Sequence, residues 1–204
     1  SLAYFALLML LLRNTGGDAT KVVLTGVLIG FLFQSLTSLV VTASGDAEST
    51  RSIMFWLLGV LGAARWPTLF AVMIVGSIGM LVLWALSRHL DALSLGGDTA
   101  STMGVPVIAL RYIVLICVSL MTATTVASVG AIGFVGLIIP HAVRMLNVPK
   151  HASLIPLSAL VGAVTLVIAD AFARSIFAPQ ELPVGVITAL IGVPMFFLIL
   201  RRKH

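Results

Sequence analysis

Apolar runs of bilayer length, separated by short polar connections, recur from one end of the chain to the other. Crossing a hydrocarbon core takes about 20 apolar residues, and segments 22–42, 67–87, 107–127, 154–173 and 184–200 approach or meet that length. Segment 129–146 predicts a short, broken span, because Gly130, Gly133, Gly136 and Pro140 interrupt its apolar pattern. A bilayer tolerates such breakers only where neighbouring helices or a watery path satisfy the freed backbone groups. The pattern therefore points to a packed, multi-span transport protein rather than a simple anchor. Residues 53–64 are apolar but too short to cross. Flanked by Arg51 on one side and Arg65, Trp66 and Pro67 on the other, they predict an interfacial or re-entrant helix. Residues 2–12 read as the end of a further span, and a chain opening on Ser1 inside an apolar stretch reads as the later part of a longer protein. The expected fold is an all-α polytopic helix bundle with about seven spans, forming one domain over residues 1–204.

Composition agrees. Charged residues make up 9% of the chain, against about 25% in soluble domains, so most of it must lie in lipid. The recurrence of apolar runs excludes a signal peptide as their source. The net charge of +5 does not indicate nucleic acid, because its residues sit singly between apolar runs or in the tail Arg201, Arg202, Lys203. That is how topology signals are placed. Seven crossings put Arg13, Lys21, Arg88, Arg111, Arg144, Lys150 and the three tail residues on one side, and Arg51, Arg65 and Arg174 on the other. Nine against three assigns the first set, and the C-terminus, to the cytoplasm. Counting 53–64 as a crossing would give eight against four with the orientation reversed, so its length, rather than charge, excludes it.

The longest polar stretch between spans is 88–106. Gly96 and Gly97 divide it, Asp98 offers a carboxylate to cap a following helix, and Gly104 with Pro106 gives a stop signal. Leu90, Leu93, Leu95, Ala100 and Met103 would be apolar knobs on two short helices, forming either a docking surface for another protein or a merely solvated loop. In span 22–42, Gln34, Thr37 and Ser38 share a helical face, which either lines a path or bonds to neighbouring helices. Arg174 follows Asp170 by four residues, which suits an intrahelical ion pair or a side chain snorkelling to the interface. Small residues such as Gly26 with Gly30, Ala159 with Gly162 and Ala163, and Gly185 with Gly192 would let helices approach closely.

No reactive chemistry is legible. His89, His141, His151 and His204 have no partner at helical spacing, among themselves or with Cys117, so no metal site is expected. The lone Cys117 reads as an inert core thiol. No Gly-x-x-x-x-Gly-Lys-Ser/Thr phosphate loop is present, so the chain itself would not hydrolyse ATP. A membrane-embedded protease pairing Ser128 or Ser158 with His141 lacks a nucleophile motif. An ion-coupled secondary carrier would need ionisable residues inside the bundle, where Asp170 alone comes near. These two remain the alternatives from other functional classes.

Four stretches converge on a family. They are Phe55 to Gly59 followed by Trp66; Leu93 to Gly96 through Met103, Gly104 and Val105; Gly130 to Arg144 followed by His151 and Pro156; and Ala169 and Asp170 through Arg174, then Glu181 to Gly185 and Gly192 to Pro194. In this order, across most of the chain, they resemble the FecCD-type permease subunits of ABC importers for iron–siderophore complexes, haem and cobalamin. The resemblance implies a prokaryotic cell-membrane protein of about ten spans with both ends cytoplasmic. It would move a chelated metal compound, an iron–siderophore complex first among them. The implied partners are an ABC ATPase subunit that uses the ATP, an extracytoplasmic substrate-binding protein, a second permease subunit and membrane lipid. No cofactor is bound by the chain itself.

Residue roles follow from the same resemblance. Loop 88–106 would be a coupling loop seated in the ATPase, through Leu95, Gly96, Asp98, Ala100 and Gly104. Arg174 would dock a glutamate of the binding protein. Ala19, Thr20 and Lys21 would lie near a cytoplasmic gate, with Gln34, Thr37 and Ser38 lining the pathway. Gly97 stands where the family usually has an acidic residue, which bears on the detailed ATPase contact.

Overall fold

A computed structural model describes residues 19–44, 47–176 and 182–201, and these are helical apart from short connections. The helices are α1 (Ala19–Ser44), α2 (Ala47–Leu57), α3 (Trp66–Ala85), α4 (Ser87–Ser94), α5 (Gly97–Thr102), α6 (Val107–Val129), α7 (Val135–Met145), α8 (His151–Ser175) and α9 (Val184–Arg201), with a 3-10 turn at Leu61–Ala63. Helices α3, α6 and α8, and Leu24–Ala43 within α1, are long and apolar enough to cross a bilayer, while α7 and Val184–Phe197 of α9 are shorter apolar helices. The expected seven crossings would require both short helices and 2–12, which lies outside the described residues.

The chain divides into two compact units, Ser1–Phe55 and Trp56–His204. In the first, α1 is a single uninterrupted helix. The Thr37 and Thr42 hydroxyls donate to the carbonyls of Phe33 and Ser38, each at 2.8 Å. Such back-bonding keeps a polar group satisfied within its own helix. In α2 the Arg51 guanidinium lies 5.9 Å from the Phe55 ring centroid. The sequence placed an interfacial helix at 53–64. The structure instead starts the helix at Ala47, ends it at Leu57 and leaves only a 3-10 turn beyond.

In the second unit, α3 starts where Pro67 sits in the first turn, a position whose N–H has no helical partner in any case. The Arg65 N–H donates to the Thr68 hydroxyl at 3.4 Å, and that hydroxyl donates to the Arg65 carbonyl at 2.8 Å. Helices α3 and α6 meet at Gly79, where an added Cβ would lie 2.4 Å from Met121 Sδ. Two apolar clusters join the remaining helices. Ala169, Ala173, Val184 and Ile187 tie α8 to α9, while Ile139, Val143 and Leu154 tie α7 to α8. Large apolar side chains such as Phe70, Ile74, Leu81, Leu160 and Val167 remain exposed along α3 and α8, as suits helices solvated by lipid.

The broken span has a defined anatomy. After α6 ends at Val129, residues 130–133 run without helical structure, and Phe134 takes a left-handed φ of 67° as the N-cap of α7. Phe134 packs where Gly192 leaves room, since a Cβ on Gly192 would come within 2.5 Å of the Phe134 Cβ. Pro140 lies inside α7. Here the chain also crosses itself backbone to backbone. The Val60 N–H donates to the Val129 carbonyl at 2.8 Å, and the Gly185 N–H lies 3.5 Å from the Gly59 carbonyl. Gly130, at φ 81°, could not carry a side chain: its Cβ would lie 1.9 Å from the Trp56 carbonyl oxygen. A Cβ on Gly185 would fall 2.0 Å from the Leu58 carbonyl oxygen.

Replacing Gly130 or Gly185 by alanine should therefore destabilise the detergent-solubilised protein by about 3 kcal/mol or more, through overpacking at both sites and a disfavoured φ at Gly130. Gly136 has open space around its missing side chain. Gly136→Ala should stay within about 1 kcal/mol of the parent, on the stabilising side. Thermal unfolding of the three variants checks both expectations.

Candidate functional site

The loop between α3 and α6 folds as two short helices around one corner. Gly96 has φ 116° and ψ 148°, a backbone region that side-chain-bearing residues rarely enter. It thereby becomes the N-cap of α5, and the helix starts at Gly97. This corrects the sequence reading of Asp98 as the cap: Asp98 falls in the first turn with its side chain exposed, and the N-cap position has no side-chain bond. An acidic residue there still complements the positive helix end. The far end of α5 closes as a Schellman motif. The Val105 N–H donates to the Ala100 carbonyl and the Gly104 N–H to the Ser101 carbonyl, both at 3.0 Å, with Gly104 at φ 80°.

The apolar knobs divide in two. Leu95 and Met103 are 67% and 62% exposed, so they are available to a partner. Ala100 is 0% exposed, which corrects its place among the exposed knobs. It seats α5 within the protein and presents no side chain outward. Gly97 faces inward as well, 3.5 Å (from its would-be Cβ) from Arg111 Nη2 of α6. An acidic side chain at position 97 would therefore sit beside a guanidinium rather than in open solvent.

Asp91 of α4 makes the strongest polar link between this loop and the bundle. Its Oδ1 accepts the His151 backbone N–H at 2.9 Å and lies 2.6 Å from His151 Nδ1. His151 is the first residue of α8, so its N–H has no helical partner, and a carboxylate from another helix satisfies it. On the other side of the ring, His151 Nε2 lies 3.1 Å from Arg144 Nη2 in the last turn of α7. A guanidinium can only donate, so Nε2 is the acceptor and the ring proton sits on Nδ1, donated to Asp91. The Trp84 indole N–H of α3 adds a bond to the Ala152 carbonyl at 3.0 Å. Four helices thus meet in one polar node. Sequence spacing could not reveal it, since Asp91 and His151 are 60 residues apart.

The other expected sites lie elsewhere. Arg174 Nε donates to Asp170 Oδ2 at 2.8 Å within α8, and the arginine side chain is 45% exposed. Along α1, Gln34, Ser35, Ser38 and Thr42 line one shallow concave strip, while the Thr37 hydroxyl is turned to its own helix backbone. Ala19, Thr20 and Lys21 form the first turn of α1, but their side chains lie outside the described residues, as does Glu181. Among the described residues no three His, Cys, Asp or Glu side chains gather as metal ligands would.

The Asp91 carboxyl titrates below its ordinary value of 3.8. Partial burial opposes its charge, but the His151 N–H, the His151 ring and the attraction of His151 and Lys150 outweigh that burial. A depressed folded-state value means that the stabilisation is complete above 3.8 and is lost as pH falls through the lower folded value. Asp91 should therefore add no slope to the melting temperature between about pH 8 and about pH 5. Below about pH 4 the decline should be shallower in Asp91→Asn than in the parent.

Comparison with known proteins bears directly on this arrangement. The profile of the FecCD transport family matches residues 1–202. The cobalamin import system permease protein BtuC of Halobacterium salinarum is 40% identical over 203 residues, covering 100% of this chain and 54% of that protein. The Fe(3+) dicitrate transport system permease protein FecD of Escherichia coli is 38% identical over 184 residues, covering 90% and 57%. The molybdate import system permease protein MolB of Haemophilus influenzae is 38% identical over 174 residues, covering 85% and 51%. A solved structure described as an inward-facing conformation of a putative metal-chelate type ABC transporter matches with a TM-score of 0.87 at 35% identity, over 96% of this chain and 63% of that one. The chain spans about half the length of the curated relatives it matches. With the match running through the broken span, the two-helix loop and the Asp170–Arg174 turn alike, this chain belongs to the FecCD transport family.

Proposed function

We propose that this chain is the pathway-forming part of a permease subunit in an ATP-binding-cassette importer, carrying a chelated metal compound into the cytoplasm. The cargo we assign is an iron–siderophore complex. The names of related proteins span cobalamin, ferric dicitrate and molybdate, and the assignment follows the ferric relative among them. The chain hydrolyses no ATP. A partner ATPase, docked on the α4–α5 loop, favours one of two permease states through differential contacts, as any switch requires. The observation that carries this reading is the corner at Gly96, which presents Leu95, with Met103 at the far end of α5, as exposed apolar residues on an ordered two-helix unit. Nine basic residues against three support a cytoplasmic position for that unit and for the C-terminus.

Arg174 belongs at the opposite ends of the spans, where a binding protein would dock. Its bond to Asp170 pre-orients the guanidinium without enclosing it, so an incoming carboxylate can share it. The second permease subunit completes the pathway, and the α1 strip at Gln34 and Ser38 is its proposed lining in this chain.

The deciding experiment reconstitutes the full-length permease with its ATPase and binding protein in vesicles. Ferric siderophore, ferric citrate, haem, cobalamin and molybdate are then offered side by side, with and without ATP on the loop side. Uptake of ferric siderophore that requires both ATP and the binding protein is expected. Accumulation that ignores ATP and follows an ion gradient would overturn the importer reading in favour of a secondary carrier. In the same vesicles Arg174→Glu should weaken binding-protein docking by at least about tenfold, an effect of the size expected for reversing one interfacial charge, and leave membrane insertion unchanged. Docking equal to the parent's removes Arg174 from the mechanism.

A further inference from the structure

We infer that Asp91, His151 and Arg144 form a directional strut through which movement of the docking loop reaches the broken span. This inference rests on the importer reading above and adds to it the residues that transmit force. Each of the three sits on a different helix: Asp91 on α4, His151 at the start of α8 and Arg144 in the last turn of α7. The contacts of 2.6 Å and 3.1 Å run through opposite nitrogens of one imidazole ring. The ring is therefore held at both ends, between a carboxylate and a guanidinium.

Directional bonds suit this task better than the apolar contacts around them. An apolar contact is non-directional, so it fixes how closely two helices approach more than how they are oriented. A hydrogen bond weakens steeply once its length or angle departs from a narrow range. A displacement of α4 must therefore carry the His151 backbone and ring with it, since Asp91 grips both at once. From the ring the displacement passes to Arg144. Helix α7 is only 11 residues long, with Pro140 inside it, and runs from Arg144 in its last turn back to its N-cap. Its other end is Phe134, a non-glycine residue at φ 67°, followed backwards by the non-helical residues 130–133. The strut thus ends at the non-helical segment of the broken span. Lys150, beside the ring in sequence, also attracts Asp91 and keeps α4 seated, and the Trp84 indole on Ala152 holds the start of α8 against α3. Asp91, His151 and Arg144 are positioning residues: none needs to touch cargo or nucleotide.

Amide side chains can separate the two halves of the strut. His151→Asn keeps a donor near the position of Nδ1 and loses the acceptor toward Arg144. His151→Gln keeps an acceptor near the position of Nε2 and loses the ring bond to Asp91. Asp91→Asn keeps the shape and removes the charge. Each variant of the full-length permease is assembled with its ATPase and binding protein in vesicles. ATP hydrolysis is measured together with uptake of whichever of ferric siderophore, ferric citrate, haem, cobalamin and molybdate the parent accumulates. The expected result is a hydrolysis rate within about twofold of the parent, with uptake per ATP reduced about tenfold in His151→Gln and Asp91→Asn, tenfold corresponding to the loss of one charge-assisted bond. In His151→Asn, which retains the bond to Asp91 but loses the charge-assisted bond to Arg144, a comparable loss of about tenfold is expected by the same reasoning.

Uptake per ATP equal to the parent's in the His151 variants overturns the strut while leaving the importer reading intact. So does a proportional fall of hydrolysis and uptake, which marks a merely structural role. Absence of ATP-dependent uptake in the parent overturns the importer reading itself, and the strut with it. Should Asp91→Asn fail to assemble, the two His151 variants decide by themselves.

Discussion

A chain in lipid has to satisfy its backbone with its own groups, and here that requirement is hardest to meet at the segment between α6 and α7. Five residues there, 130–134, lie outside any helix, so they lack the full set of partners a helix supplies. Two other parts of the chain, residues 56–60 and 183–185, pack closely against this segment, with the Val60 N–H on the Val129 carbonyl and the Gly185 N–H near the Gly59 carbonyl. Carbonyl oxygens stand where side chains would otherwise be, which is possible only because Gly59, Gly130 and Gly185 have none. Next to that crossing, Phe134 fills the space beside Gly192 and α8 closes on α9. Apolar contacts alone would not produce it, because within lipid they distinguish poorly between one neighbour and another.

At the other ends of the same helices, the polar node solves a different problem with different means. There the backbone is ordinary helix, and side chains provide the specificity. Asp91 acts as an N-terminal cap delivered from another helix, so the start of α8 and the position of α4 are set by one interaction. The bundle is therefore anchored twice: by close backbone contact where the span is broken, and by charge-assisted bonds beside the docking loop. Helix α7 is the piece common to both anchors.

The apolar runs made the helices legible, and the chemistry of Gly130, Gly133, Gly136 and Pro140 made the broken span legible. Gly96, Gly104 and Pro106 likewise announced two short helices in the loop. Details that depend on a backbone angle were harder to read. Asp98 has the right chemistry for a cap, yet Gly96 takes that role because it reaches a φ that no carboxylate-bearing residue favours. Ala100 looked like a surface knob because a six-residue helix shows no clear apolar face until its neighbour α6 is in place. The Asp91–His151 bond and the Gly59–Gly130–Gly185 crossing join residues far apart in sequence, and no local pattern encodes them. Gly79, inside an unbroken apolar run, gave no sign that Met121 would fill its missing side chain.

The shortness of α7 has a consequence for the surrounding bilayer. Eleven residues rise about 16 Å, roughly half of a hydrocarbon core of about 30 Å. Long helices such as α3 and α8 adapt to a thicker or thinner bilayer by changing tilt. Helix α7 has no spare length to tilt with, so hydrophobic mismatch at this point falls on residues 130–134 and on the lipid beside them. Membrane thickness, set by acyl-chain length and lipid composition, thereby acts as a mechanical variable on the non-helical segment that breaks this span.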